Sequence, residues 1–181
     1  MNTREHTAMK MRGNPDISYL GHTVDQMIWS FMEQEKIDGL TLAIVQAPYI
    51  PRVAGYGYSD SQRRRLASPN TMWPAGPISQ AFAAVAVMQL HEDGGLDVNR
   101  RASVYIPELP DTWNDITVLQ LLRHASGLPD YRRAAEFSPD TPWTFDALLQ
   151  LAARNPLHFV PGTEVEQSAT NFLLLTEIVE R

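Results

Sequence analysis

Ile116-Thr117-Val118-Leu119-Gln120-Leu121-Leu122-Arg123-His124-Ala125-Ser126-Gly127-Leu128-Pro129-Asp130-Tyr131 is the stretch on which the reading of this 181-residue chain turns. It predicts a helix over 117–125, closed at Gly127. His124, Ser126 and Asp130 invite comparison with a hydrolytic triad. One helix end and its turn, however, cannot aim three side chains so close in sequence at a single point.

Working outward, Thr23 and Gln26 have capping-box spacing, and Val24, Met27, Ile28 and Phe31 recur at i, i+3, i+4 and i+7. They predict one buried helix face, stopped at Asp38-Gly39. Leu40 to Gln46 and Arg52 to Tyr58 read as two strands joined through a Pro48–Pro51 turn, an antiparallel hairpin. An apolar helix is expected from Pro77 to about Asp93, closed by Gly94-Gly95, with Pro77 suited to the first turn because its missing N–H would go unpaired there. Further helices are expected at 145–154 and from about Thr170 onward. Residues 1–21 read as a loosely ordered arm before one domain over 22–181.

Composition narrows the function. A net charge of -6 with scattered basic residues argues against a nucleic-acid surface, and the Arg63-Arg64-Arg65 run reads as a solvated loop. No cysteine means no thiol nucleophile and no thiolate metal site. His6, His22, His91 and His158 lack metal-ligand spacing, so no metal and no cofactor are expected. Residues 1–16 hold no apolar run of signal-peptide length and no stretch approaches the ~20 apolar residues of a membrane span, so no membrane is expected and the cytoplasm is the default, while the cysteine count neither shows nor excludes secretion.

Several segments, in order, resemble the β-lactamase-related (penicillin-recognising) serine hydrolases, which include class C β-lactamases, D-Ala-D-Ala carboxypeptidases and esterases. They are Gly55-Tyr56-Gly57-Tyr58; Phe82-Ala83-Ala84 with Met88-Gln89-Leu90 and Asp93-Gly94-Gly95-Leu96; Tyr105-Ile106-Pro107-Glu108-Leu109-Pro110; the stretch 116–131; and Phe159-x-Pro161-Gly162-Thr163 followed by Phe172-Leu173-Leu174-Leu175. The resemblance covers about residue 23 to the end. It implies an α/β (α+β) fold of β-lactamase/transpeptidase type: an N-terminal helix and antiparallel hairpin plus a helical region, with the C-terminal strands of the sheet missing. Within it, 124–130 becomes a structural turn beside the cleft and His124 a hydrogen-bonded, partly buried histidine.

The family's Ser-x-x-Lys motif places an amine one helical turn from a nucleophilic hydroxyl. Aligned without gaps from Gly76 to Leu90, the serine position holds Pro77 and the lysine position Gln80. Proline offers no nucleophile, and a carboxamide is no base near neutral pH. Proline also lacks the N–H that the nucleophile's backbone gives to the oxyanion hole, a donor worth about 3 kcal/mol. Shifting by two makes Ser79 the fallback nucleophile, but its i+3 partner is Phe82, and Lys10 and Lys36 are the chain's only lysines. The Tyr-x-Asn motif is replaced by Gln167-Ser168-Ala169. The third motif, a Lys- or His-x-Gly strand, belongs to a C-terminal region of the family for which this sequence has no counterpart.

No catalytic residue is therefore assigned. Trp73, Ser79 and Asn171 remain as weak ligand contacts, and Asn171, at a usual glycine position, is expected to cap a helix or lie at the surface. Trp29, Trp113 and Trp143 read as core and loop anchors. The primary expectation is a catalytically inactive relative that binds a ligand or partner. The alternative is a hydrolase of esters, amides or β-lactams that uses unusual residues or is completed by another chain; a third is a chain without independent function. Because a two-stranded hairpin is marginal and sticky, its open edge is expected to be covered by a protein partner, a second copy or further residues.

Overall fold

The computed structural model describes residues 10–13, 18–19, 22–46 and 49–181. Most of the expected arm, His6, Ala47, and Pro48 of the expected Pro48–Pro51 turn lie outside them, while Tyr49, Ile50 and Pro51 of that turn are strand instead. The chain falls into two compact units, Met1–Pro74 and Ala75–Arg181. Among the described residues no helix is long and apolar enough to cross a membrane.

In the first unit, strands β1 (Lys10–Gly13), β2 (Ser18–Tyr19) and β3 (His22–Thr23) lead into helix α1 (Val24–Glu35), followed by β4 (Gly39–Gln46), β5 (Tyr49–Asp60) and β6 (Arg65–Leu66). The capping box forms as read: Gln26 N–H donates to Thr23 Oγ1, and Thr23 N–H to Gln26 Oε1. The expected hairpin is present as β4 against β5, with Leu40 opposite Tyr56 and Leu42 opposite Ala54. It is not two-stranded, because β1 pairs antiparallel with the other side of β5 and β6 pairs with its end, giving the order β1-β5-β4. Part of the expected arm is thus a sheet strand.

The buried face of α1 differs from the expected one. Met27 and Phe31 are 43% and 48% exposed, while Met32 is buried against Ala54 and Tyr56, with Ile28 and Trp29 partly covered. The inner stripe runs through Asp25, Ile28, Trp29 and Met32. Its first member is polar, so counting apolar residues misplaces the face. Asp25 earns that position by pairing with the Arg52 guanidinium, which is fully buried. Tyr56 donates to Asp25 Oδ1 at 2.8 Å and accepts from Arg52 at 3.2 Å, and its ring meets Trp29 edge-on.

In the second unit a short 3₁₀ turn, Gly76–Ile78, leads into α2 (Ser79–Glu92), followed by α3 (Val118–Leu122), α4 (Phe145–Ala153) and α5 (Ala169–Glu180). Gly94, at φ 78°, follows the end of α2. Thr117, Thr144 and Ser168 cap the last three helices with their side chains. Helix α3 is shorter than expected because Arg123 already leaves helical geometry and His124 turns left-handed at φ 55°. Val87, Ile106, Trp113, Leu121, Leu174 and Leu175 form one fully or nearly fully buried core. This is the side of α2 that packs into the second unit's own core. Ile78, Phe82, Val85 and Met88 are 69%, 74%, 58% and 40% exposed, an apolar stripe along the other side.

Candidate functional site

Pro77 occupies the 3₁₀ turn and Ser79 opens α2, its backbone N–H donating to the carbonyls of Gly76 and Pro77. Pro77 and Ser79 are exposed, and Gln80 is partly covered. The helix start therefore presents a hydroxyl at Ser79 with no amine one turn on; the residue there is Phe82.

The turn after α3 is fastened to the segment that carries Gln167, Ser168 and Ala169. His158 N–H donates to the Gly127 carbonyl at 2.8 Å, Gly162 N–H to Ala125 at 2.7 Å and Glu166 N–H to His124 at 3.0 Å. Gly127, at φ 74°, is required for this approach: a Cβ there would lie 2.3 Å from the Phe159 carbonyl oxygen. Pro129 and Tyr131 bond Thr170, whose hydroxyl donates to the Pro129 carbonyl and accepts from Tyr131 N–H. Gln167 ends exposed, whereas Ser168 and Ala169 are buried.

Asn171 departs from its expected cap or surface role. It is fully buried, and its amide completes a directed chain. Leu128 N–H donates to Ser126 Oγ at 3.1 Å, the Ser126 hydroxyl donates to Asn171 Oδ1 at 2.5 Å, and Asn171 Nδ2 donates to His124 Nδ1 at 2.9 Å. Ser168 N–H reaches the same Nδ1 at 3.3 Å. Backbone N–H groups at both ends can only donate, so every group between them has one workable polarity, and His124 is neutral with its proton on Nε2. Burial lowers its pKa, opposed by the charge of Asp130.

The three residues of the triad comparison do not form a chain of hydrogen bonds with one another. The Ser126 proton goes to Asn171 rather than to the imidazole, and Asp130 is engaged by Arg132 at 2.6 Å. Burial alone would raise the Asp130 pKa, but bonds from Arg132 hold it below the usual carboxylate value. His124 is partly buried, as expected, and Trp113 is a core anchor. Trp73 sits in the first unit, its indole N–H bonded to Thr41 Oγ1 at 2.9 Å, while Ser79 and Asn171 sit in the second.

Sequence reading missed an exposed ion cluster in which Glu166 accepts from Arg133 at 2.9 Å and meets His158 at 2.7 Å. Its members are 33 and 8 residues apart in sequence, so only the folded loop joins them. His158 and Arg133 hold Glu166 below the usual carboxylate pKa. Among the described residues no His, Asp and Glu side chains gather as a metal site. An open groove of about 540 Å³ lies between α2 and α5, lined by Ala86, Gln89, Leu90, Glu92, Asp93 and Val179.

Comparison with known proteins agrees with this geometry. The family model for Beta-lactamase matches residues 24–181. Protein flp of Staphylococcus aureus (strain N315) is 27% identical over 161 residues, covering 87% of this chain and 32% of that protein. A Beta-lactamase of Providencia stuartii is 33% identical over 110 residues, 58% of this chain and 27% of that one. Among solved structures, D-amino acid amidase from Ochrobactrum anthropi SV3 superposes with a TM-score of 0.71 at 23% identity, over 85% of this chain and 43% of the amidase. A class C beta lactamase does so with a TM-score of 0.66 at 27% identity, over 86% and 42%. The chain thus spans about a third of its first curated relative and just over two fifths of these solved chains. With the ordered motifs, the fold and the match over 24–181 in agreement, the chain belongs to the Beta-lactamase family of serine hydrolase homologues.

Proposed function

We propose that this chain is a member of the family that has given up acyl transfer and acts by binding a ligand or a protein partner. The observation that carries the reading is the start of α2, where a proline and a glutamine stand at the positions the family gives to a nucleophile and its base. A hydroxyl must lose its proton as it attacks, and neither residue can donate a nucleophile or accept that proton. The scaffold beneath them is kept: Pro77 suits the entry turn, and the turn 124–131 is bonded to α5 through Thr170 and Asn171.

Binding in place of chemistry accords with the exposed stripe Ile78, Phe82, Val85 and Met88, since contiguous apolar surface on a folded protein marks an interaction site. The test is intact-mass spectrometry after incubation with a fluorophosphonate and with a penicillin probe, alongside nitrocefin hydrolysis. The expected outcome is an unmodified mass and no hydrolysis above buffer. A covalent adduct that disappears in Ser79→Ala would establish the hydrolase reading instead.

A further inference from the structure

Consecutive basic residues occur at Arg63-Arg64-Arg65, Arg100-Arg101 and Arg132-Arg133. The fold pins the second and third runs. Arg100 N–H donates to the Asp97 carbonyl at 3.0 Å, the Arg100 carbonyl accepts from Val118 N–H at 3.0 Å, and Ala102 N–H donates to the Ile116 carbonyl at 2.8 Å, while Arg101 pairs with Asp115 at 3.0 Å. Arg133 N–H donates to the Asp130 carbonyl at 3.0 Å, and the two guanidinium groups pair with Asp130 at 2.6 Å and Glu166 at 2.9 Å.

The first run stands at the tip between β5 and β6, where residues 61–65 are exposed. The Arg63 side chain is 79% exposed and its partner Asp60 lies 3.7 Å away; Arg64 and Arg65 enter no ion pair among the described residues. The tip's backbone is lightly held. Arg64, left-handed at φ 52°, donates its N–H to the Ser61 carbonyl at 3.4 Å, and β6 meets β5 only at Arg65 and Leu66. Such a tip opens locally at less cost than the two pinned runs. The segment after it is fastened separately. Ala67 is buried and its N–H donates to the Gly57 carbonyl at 3.0 Å, and the Thr41 hydroxyl donates to the Ser68 carbonyl at 3.0 Å. This close seating requires Gly55, where a Cβ would lie 2.4 Å from the Ala67 carbonyl carbon and the Ser68 nitrogen.

We propose that Arg63-Arg64-Arg65 is a proteolytic processing site for an endoprotease that reads paired basic residues, and that the nicked chain stays assembled. The protease's acidic pockets take two adjacent guanidinium groups that the fold leaves exposed. Water hydrolyses the peptide bond after Arg64 or Arg65: the C–N bond breaks, the water oxygen ends in an arginine carboxylate, and its proton goes to the new amino terminus. Residues 67–73 remain on β4 and β5 through the bonds of Ala67, Ser68 and Trp73, none of which involves the cut bond.

The experiment is a time course of the full chain with an endoprotease specific for paired basic residues, read by intact mass and by native size exclusion. The first products are expected to be 1–64 or 1–65 with the remainder, eluting together in native buffer and apart in urea. Arg64→Gln leaves no adjacent basic pair in the tip and is expected to slow loss of the intact chain at least about tenfold. A first cut after Arg101 or Arg133, fragments that elute apart in native buffer, or an Arg64→Gln chain cut at the tip as fast as wild type would each overturn the proposal. So would a chain still intact when a peptide of residues 59–68 has been consumed. If Arg64→Gln does not fold by circular dichroism, the wild-type cut positions and elution decide alone.

Discussion

The side-chain amide of Asn171 donates to His124 Nδ1 at 2.9 Å, so the turn after α3 depends on a histidine that must stay unprotonated at that nitrogen. Ser168 N–H points at the same lone pair, and a proton placed there would face two donors. Burial lowers the His124 pKa accordingly. An unfolded histidine takes its proton near pH 6.5, the folded one only at lower pH, and in between the unfolded state binds more protons. The stabilisation is complete above about pH 6.5 and is lost as pH falls through the folded pKa. Thermal unfolding is expected to move to lower temperature between about pH 7 and 5, with a smaller slope in His124→Asn, which also suits the left-handed backbone. Equal slopes in both proteins would remove His124 as the cause.

Asn171 itself is expected to be costly to remove. Asn171→Ala leaves the buried Ser126 hydroxyl without its acceptor and His124 Nδ1 with only the longer bond from Ser168 N–H, and an unmet buried polar group costs about 1–3 kcal/mol. Urea unfolding should show a loss in that range. Asn171→Asp is expected to act oppositely on the histidine, raising its pKa by setting a carboxylate beside it, which proton NMR of the imidazole reads directly.

Sequence carried the order of elements because their signals are local. Thr23 with Gln26, Gly94 after α2 and Gly127 after the turn each act within one or two helical turns of themselves. What it did not carry are partnerships made by the fold. The apolar spacing Val24, Met27, Ile28 and Phe31 leaves out Asp25, which Arg52, 27 residues on, draws inward, rotating the buried face. Asn171 looked like a cap until Ser126 and His124, 45 and 47 residues away, enclosed it. The proposed replacement of Ser-x-x-Lys by Pro77 and Gln80 needs only sequence to be read, because that motif is itself local, one helical turn at the start of α2.

The buried ion pair gives an expectation for the first unit. Asp25→Ala leaves the Arg52 guanidinium, fully buried, without its carboxylate. Breaking such a pair costs about 3–5 kcal/mol when both charges are sealed off. Asp25 is 27% exposed, so water offsets part of this and about 2–3 kcal/mol is expected. Urea unfolding followed by Trp29 fluorescence would check it, and a loss under about 0.5 kcal/mol would mean the pair is solvated.

Tyr56 adds an alkaline limit to the same unit. Burial and the neighbouring Asp25 carboxylate push its pKa up to about 12. An unfolded tyrosine ionises near pH 10, so above that the unfolded state releases a proton the folded state keeps. This stabilisation is full below about pH 10 and is lost as pH rises toward about 12. Phenolate absorbance should show one tyrosine titrating late and together with unfolding, and Tyr56→Phe should abolish that late step.

Gly127 offers the sharpest test of how the turn is held to its loop. Gly127→Ala meets two penalties at once: the left-handed backbone at φ 74°, and a methyl group 2.3 Å from the Phe159 carbonyl. Strain of the first kind costs about 1 kcal/mol or more, and the overlap forces the 158–162 strap away from the turn. That movement breaks the bonds from His158 N–H to the Gly127 carbonyl and from Gly162 N–H to the Ala125 carbonyl. The expected result is a loss of at least about 2 kcal/mol with selective loss of hydrogen-exchange protection at His158 and Gly162. Protection unchanged at those two amides would show that the strap is held from elsewhere.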